Sequence, residues 1–252
     1  MIDQFSMFDV YNEDMKRINW LFSLVLVSLS MISCSEKEGE DGNILIIDLK
    51  HKVGNNPLAF DSVMYQNEAG NNYNITGLRY YLSNIEFWNG DDIIYQSEEI
   101  FHIDAKSAEN KIELEEIPLG KYTTMKYLIG IGEEMNVEGA LPNEEKHDLM
   151  LWPKQMGGGY HFMKMEGYYY DASENQFGYA IHLGTSIGLM EGQMEVNVEI
   201  DDSYNDVNIS FNVNNLFDDP SYDFVLDGAY TMGVSNLMSS IAKNGEDVLE
   251  LN

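Results

Sequence analysis

The chain has 252 residues, with 14 Lys and Arg against 43 Asp and Glu, and its formal net charge of −29 excludes a nucleic-acid partner because so acidic a surface repels phosphate. A single cysteine excludes both a disulfide framework and any paired-cysteine metal or redox motif. The 44% of hydrophobic residues is enough for a substantial core, in one large β domain or two small ones.

The N-terminal segment has the pattern of a secretory signal peptide. A short basic leader at residues 15–19 is followed by an uncharged, mostly apolar run at residues 20–32. This run is shorter than the roughly 20 residues of a membrane-spanning helix, so the pattern predicts a cleaved signal peptide over residues 1–33. Met15 is the expected start, because the residues before it carry four acids and do not suit the basic end of a signal.

The apolar run ends in Met31-Ile32-Ser33-Cys34, which resembles a bacterial lipobox, the motif whose cysteine is lipidated and becomes the mature N-terminus. Residues 34–43 are then predicted to be a lipidated Cys34 and a flexible acidic tether. The tether resembles the acidic signals that send lipoproteins of Bacteroidota to the outer face of the outer membrane. The prediction is an outer membrane lipoprotein that faces the periplasm or the cell surface. The alternative is an ordinary signal peptide with an incidental cysteine.

Alternation of apolar and polar residues with a period of two dominates residues 44–252, which are predicted to form one domain. The predicted strands are 43–53, 77–88, 93–104, 111–117, 122–131, 160–170, 178–183, 194–200, 206–213 and 223–230. Only 235–243 has the pattern of a helix. About ten strands with no helix between them predict an all-β fold, an antiparallel Ig-like or Greek-key β-sandwich. Residues 132–159 form a long Gly- and Met-rich loop, of a length that is usually functional or disordered.

Two motifs typical of known functional sites fit this chain poorly. Residues 184–188 match the GxSxG elbow of hydrolases, but the elbow needs a helix after the serine, and here another strand is predicted. Residues 201–206 have oxygen ligands at alternate positions, as calcium loops do. However, Asp206 stands where an EF-hand needs glycine, and Asn212 stands where it needs glutamate. A turn between strands and an acidic hairpin turn explain the two segments more simply.

The histidines are the strongest candidates for a functional site. The chain has five: His51, His102, His147, His161 and His182. Alternation places His51 on the apolar face of the first strand, and His182 lies just before a glycine turn. An imidazole among apolar side chains must be hydrogen-bonded or metal-bound, and the sequence leaves both alternatives open. The four methionines Met150, Met156, Met163 and Met165 lie near Trp152 and suit copper(I), although methionine also commonly fills gaps in cores.

Six segments in order resemble the MbnP-like copper-binding proteins, in the lipoprotein form found in Bacteroidota. They are residues 49–58 with a histidine and a glycine turn, 78–85 with Leu-Arg-Tyr-Tyr-Leu-Ser-Asn-Ile, 101–105, the hairpin 117–132, the tryptophan loop and Lys-x-Glu-Gly strand 150–167, and the His-Leu-Gly motif at 181–184. The segments cover the chain from about residue 44 to residue 184, and the resemblance is looser after that.

This resemblance implies a β-sandwich that binds copper through histidines on separate strands. In studied relatives a tryptophan is oxidised to kynurenine and contacts the metal, and a di-haem peroxidase-like partner is associated with that oxidation. His51 and His182 match the family's recurrent histidines, Trp152 matches the loop tryptophan, and His102 falls in a matching segment. Lys154 departs from the pattern, because many relatives have a second tryptophan there.

The leading interpretation is a non-catalytic, membrane-anchored protein that binds copper(I) through histidines. It requires His51 and His182 to lie on adjacent strands with their nitrogens facing each other. Copper binding would then weaken as the pH falls through the imidazole range near about pH 6.5. The alternative is a cell-surface recognition module for a glycan, a protein or calcium, which the 16 tyrosines and the acidic loops favour.

Overall fold

The computed structural model describes residues 43–252 apart from 62–63 and 202–204. The predicted signal peptide, Cys34 and the tether up to residue 42 lie outside the described residues. Strands are found at Leu45–Val53 (β1), Asn56–Pro57 (β2), Tyr65–Gln66 (β3), Asn72–Tyr73 (β4), Gly77–Asn89 (β5), Asp92–Asp104 (β6), Lys111–Leu114 (β7), Gly120–Ile129 (β8), His161–Tyr170 (β9), Gln176–Gly184 (β10), Met190–Ile200 (β11), Asn205–Asn212 (β12) and Leu249–Leu251 (β13). Helices are found at Glu145–Asp148 (α1) and Ser235–Asn244 (α2).

The strands form two sheets. The five-stranded sheet has the order β13-β12-β1-β2, and β7 also pairs with β1. The eight-stranded sheet has the order β11-β8-β5-β9-β4-β3, with β10 on β9 and β6 on β5. The predicted antiparallel β-sandwich is confirmed, with one exception that the sequence did not indicate. β1 and β12 pair in parallel, from Leu45 opposite Asn205 to Lys52 opposite Asn212.

The main core joins the facing sides of the two sheets. In β1 the residues at alternate positions Leu45, Ile47 and Leu49 are buried, as the period-two pattern predicts. On β5 the core residues include Tyr80 and Leu82, both with no exposed surface. Burial of large aromatic and aliphatic side chains from both sheets is the dominant stabilising contribution of this fold.

A second apolar cluster lies on the other side of the eight-stranded sheet. It consists of Tyr81, Ile131, Leu141, Met150, Tyr160 and Phe162. Tyr80 belongs to the main core and its neighbour Tyr81 to this cluster, so β5 is buried on both faces here. The long loop predicted at 132–159 therefore covers the outer face of the sheet. It is held there in part by Lys164, whose Nζ donates to the Leu149 carbonyl at 3.2 Å.

The predicted strand at 223–230 is wrong. The Asp223 carboxylate accepts hydrogen bonds from the backbone N–H groups of Val225 and Leu226, at 2.7 and 3.2 Å, and so forms a turn where the apolar pattern suggested a strand. Only Tyr230 makes a bridge, to Ala180. The helix predicted at 235–243 is present as α2. None of the helices among the described residues is long and apolar enough to cross a membrane.

Candidate metal centre

His51 lies between the two sheets. A hydrogen bond of 2.9 Å joins its Nε2 to the Tyr80 hydroxyl, and its ring packs against Phe211 at a centroid distance of 5.9 Å. Burial lowers the pKa of His51 to about 4, so the imidazole is neutral at pH 7. His51 therefore has the contacts of a core histidine whose Nε2 already has a partner.

His182 lies on the opposite side of the eight-stranded sheet from His51. Residues directly opposite each other on antiparallel strands share a face. Tyr80, Met163 and Leu183 are opposite one another and point into the main core. Their sequence neighbours Arg79, Lys164 and His182 form the next row across the same strands and therefore point outward. The structure does not bring His51 and His182 together, because a sheet separates them.

The residue that meets His182 is His161. Their ring centroids are 5.1 Å apart and the rings are nearly perpendicular, at 89°. Alternation from the buried Met163 would point His161 into the core. However, the register shifts between Leu183 and Gly184, so that His161 is opposite Gly184. This bulge turns His161 to the outer face, where His182 is.

The hydrogen bonds of the two imidazoles fix which nitrogen is free. The His161 Nδ1–H donates to the Met150 carbonyl at 3.2 Å, because a carbonyl can only accept, and this leaves the lone pair on Nε2. The His182 Nε2–H donates to the Glu166 carboxylate at 2.8 Å and leaves the lone pair on Nδ1. Metal-binding histidines are commonly oriented by a carbonyl or a carboxylate in this way.

Both imidazoles are uncharged near neutral pH. Burial, helped by the neighbouring His182, lowers the pKa of His161 to about 4. Burial also lowers the pKa of His182, although the hydrogen bond to Glu166 opposes that shift. A neutral imidazole is the form that binds a metal, so the environment of this pair is suited to metal binding without any loss of protons at pH 7.

Trp152 packs against His161 and also belongs to the main apolar core. It is 3% exposed, its ring centroid lies 4.8 Å from that of His161, and its Nε1–H donates to the Met156 carbonyl at 3.1 Å. The indole packs onto Gly184, where an added Cβ would approach the Trp152 ring to 2.5 Å. The glycine of the His-Leu-Gly motif therefore makes room for the tryptophan. The predicted residues Trp152 and His182 belong to one cluster, which His161 joins.

A second pair of histidines lies on the same outer face. His102 on β6 is opposite Tyr81, which faces outward, and its ring centroid lies 6.1 Å from that of His147 in α1. A hydrogen bond of 2.8 Å joins the Tyr81 hydroxyl to His147 Nδ1. Among the described residues, no ring contact joins this pair to His51 or His182. The structure thus places His102, a weaker ligand candidate from the sequence, beside His147 and not in the cluster of His182.

The residues of the His161–His182 pair fit a copper ion better than a metal with many ligands. Within the ranges that the structure describes, no group of three or more His, Cys, Asp or Glu side chains is arranged to hold a metal. Two imidazoles are nevertheless suitable ligands for copper. His161 Nε2 is one of three buried side-chain N or O atoms in the described chain without a hydrogen-bond partner. Folded proteins rarely leave such an atom unpaired, so it fits a nitrogen reserved for a ligand.

These features define the class of protein: a β-sandwich with neutral, buried histidines beneath a tryptophan loop. The family model MbnP matches residues 43–237, and the chain belongs to the MbnP family. This confirms the resemblance to the MbnP-like family drawn from the sequence. The solved structure of MbnP from Methylosinus trichosporium shares the fold with a TM-score of 0.52 and 11% identity, covering 77% of this chain and 83% of that one. None of the curated proteins matches this chain.

Proposed function

We propose that this protein binds copper(I) through His161 and His182 on the outer face of the eight-stranded sheet, and that it handles copper without catalysing a reaction. Its membership of the MbnP family, which is linked to copper handling, supports a copper-related function. The observation that carries the proposal is the buried, unpaired Nε2 of His161 next to the neutral ring of His182. His161 replaces His51 as the partner of His182.

In this proposal each neighbouring residue has a defined part. The Met150 carbonyl and the Glu166 carboxylate orient the two rings by accepting from the nitrogens that do not bind the ion. Trp152 and Gly184 exclude water from the side of His161. Bound copper(I) would be an ion stored for transfer.

The test is anaerobic competition for copper(I) with a chromophoric chelator, using His161→Ala and His182→Ala. Loss of a residue that only orients a ligand typically weakens metal affinity 10–100-fold, so loss of a ligand itself should weaken it by more than about 100-fold. His51→Gln is the matched control, because it removes a buried histidine from the other face of the sheet and should bind as the wild type does. Unchanged affinity in both alanine variants would refute the site.

We also propose that Trp152 is the residue that is oxidised to kynurenine, with a di-haem peroxidase-like partner as the oxidant. Its contact with His161 supports a position next to the metal. Peptide mass spectrometry of protein from its native source should find kynurenine at position 152, while recombinant protein made without the partner should contain tryptophan. Unmodified Trp152 in copper-containing native protein would exclude this role.

We propose, from the sequence, that the protein is an outer membrane lipoprotein anchored by Cys34, facing the periplasm or the cell surface. An acyl chain contributes about 0.8 kcal/mol of membrane affinity for each buried CH₂. Cys34→Ser should therefore move the protein from the membrane fraction to a soluble or unprocessed form. A variant that stays with the membrane would contradict the lipid anchor.

The alternative function, a cell-surface recognition module, is favoured by one group of exposed aromatic residues. Tyr168 is 44% exposed and lies opposite Gly178 on the neighbouring strand. Tyr230 lies close to the same glycine, because a Cβ added to Gly178 would be 3.3 Å from the Tyr230 hydroxyl. Tyr230 is 62% exposed. If this surface binds a glycan or a protein, Tyr168→Ala and Tyr230→Ala should abolish that binding and leave copper(I) affinity unchanged. The calcium candidate at 201–206 includes residues 202–204, which are outside the described part of the chain.

A further inference from the structure

The pair formed by His102 and His147 has the same features as the proposed copper site, at a separate place. The two ring centroids are 6.1 Å apart and the rings are nearly perpendicular, at 84°. His102 Nε2 is the second imidazole nitrogen that is buried without a hydrogen-bond partner in the described residues. Each of the two outer-face pairs thus contains one unpaired Nε2, whereas the Nε2 of His51 on the inner face is paired.

Tyr81 holds the other histidine of this second pair. The Tyr81 ring stacks against His147 at 5.8 Å and 15°, and it meets His102 edge-on at 5.5 Å. Burial raises the pKa of Tyr81, so the phenol stays protonated and uncharged. When the phenol oxygen accepts from His147 Nδ1–H, the lone pair of that imidazole is on Nε2, as metal binding requires.

The surroundings favour an ion that accepts few ligands. Asp104, the acid two residues along β6 from His102, is paired with Arg79 at 2.8 Å. Zinc takes four ligands in structural sites and three protein ligands in catalytic ones, which two imidazoles and a neutral phenol do not supply. Imidazole also suits copper, and copper(I) can be bound by two ligands.

We propose that His102 and His147 form a second copper(I) site, with Tyr81 as its positioning residue. The two sites are adjacent through one backbone segment. The Met150 N–H donates to the His147 carbonyl at 3.0 Å, and the Met150 carbonyl accepts from His161. The tryptophan loop therefore contributes to both pairs, and the outer face of the sheet has the capacity for two ions.

The experiment is an anaerobic titration of copper(I) against a chromophoric chelator, which counts the bound equivalents. Wild-type protein and the His51→Gln control should each bind two. The double variant His102→Gln/His147→Gln should bind one, and so should His161→Gln/His182→Gln. If the first pair binds no copper, His161→Gln/His182→Gln keeps the wild-type count, which separates failure of the proposed function from failure of this second site. A wild-type count retained by His102→Gln/His147→Gln overturns the second site.

Imidazole ¹⁵N chemical shifts of the wild-type protein give a readout that does not depend on whether a variant folds. Copper(I) should shift the Nε2 resonances of His102 and His147. Tyr81→Phe should lower the copper(I) affinity of the His102–His147 site alone, by about 10-fold. Resonances of His102 and His147 that stay unchanged with excess copper(I) would refute the site.

Discussion

Two adjacent tyrosines on β5 show that histidines are bonded differently on the two faces of the eight-stranded sheet. Tyr80 points into the main core and makes a hydrogen bond to His51, while Tyr81 points outward and makes one to His147. On the inner face a single histidine has its Nε2 paired. On the outer face the histidines occur as two pairs, and each pair keeps one buried Nε2 without a partner.

This difference separates a structural histidine from a ligand candidate more sharply than burial does. His51, His102 and His161 all have a pKa lowered to about 4, with burial as the main cause. What distinguishes them is the partner of Nε2. Leaving a buried polar atom unpaired costs about 1–3 kcal/mol, and a fold tolerates that cost where the atom has a function.

Acid should destabilise the protein by protonating histidines on both faces of the eight-stranded sheet, and this is the largest effect that we expect. The unfolded chain protonates its histidines near the ordinary pKa of 6.5, whereas the folded domain protonates His51, His102 and His161 near 4. The unfolded state therefore binds more protons between those values, and the free energy of unfolding falls as the pH decreases from 6.5 toward 4. Denaturant titrations from pH 7 to pH 5 should show a loss on the order of a few kcal/mol.

Copper(I) makes this acid experiment specific to a face. Because the ion binds the neutral imidazoles of the folded state, it should raise the free energy of unfolding at every pH above about 4, and His51→Gln should keep this gain. The variant His51→Gln removes the inner contribution and should have a shallower slope in the absence of copper. An equal free energy of unfolding with and without copper(I) across this pH range would indicate that none of the titrating histidines is a ligand.

Gly184→Ala tests how the outer face is built. The added Cβ would lie 2.5 Å from the Trp152 ring, so the indole must shift from its position against His161. Overpacking of this kind costs up to about 3 kcal/mol, and copper(I) affinity should fall together with stability. Gly77→Ala is the control, because nothing lies within 4 Å of its added Cβ. Equal stability of the two variants would show that Trp152 has room to adapt.

His51→Ala tests the inner face. It removes the partner of the buried Tyr80 hydroxyl and should lower the free energy of unfolding by about 2 kcal/mol, while copper(I) affinity stays that of the wild type. Tyr80→Phe should have a similar effect on stability, since it leaves His51 Nε2 unpaired. Thermal melts and chelator competition on the same samples decide the matter. Loss of copper binding in His51→Ala would support the sequence-based hypothesis that His51 and His182 are the copper ligands.

Glu166→Gln should produce the smallest change. The amide oxygen can still accept from His182 Nε2–H, but without the charge that holds the ring. We expect copper(I) affinity to fall about 10-fold, which equals about 1.4 kcal/mol, with stability within about 0.5 kcal/mol of the wild type. Glu195→Gln, an exposed change on β11, is the matched control. A Glu166 variant indistinguishable from this control would remove the carboxylate from the site.

The sequence predicted the strands well where the pattern is local. The alternation of residues 43–53 predicted both β1 and its buried face, and the patterns at 77–88, 93–104 and 160–170 predicted the strands β5, β6 and β9. The segment at 223–230 was assigned wrongly because Asp223 forms its turn with its own side chain, which an apolar pattern does not indicate. The parallel partner of β1 depends on contacts about 160 residues away and has no local signal.

The candidate site was predictable in its parts but not in its combination. Sequence pattern and family resemblance selected Trp152 and His182, which do lie in one cluster. They could not show that the eight-stranded sheet separates His51 from His182. Alternation tells which residues share a face of a strand, but it does not tell which sheet or loop that face packs against. They also missed His161, since a bulge reverses its direction. The one signal in the sequence that could have indicated His161 as a ligand was its position at the end of the tryptophan loop, next to Tyr160.

The parallel pairing of β1 with β12 also has a consequence for how the molecule is made. Leu45 is near the start of the domain and Asn205 is near its end, so the central pair of the five-stranded sheet cannot form until nearly the whole chain has been synthesised. Until then β1, which carries the apolar residues Leu45, Ile47 and Leu49, has no partner strand on the edge that β12 later occupies. Contacts between residues so far apart in sequence slow folding, and they prolong the exposure of an unpaired, aggregation-prone strand edge. A chain truncated before β12 is therefore expected to need a chaperone or to aggregate.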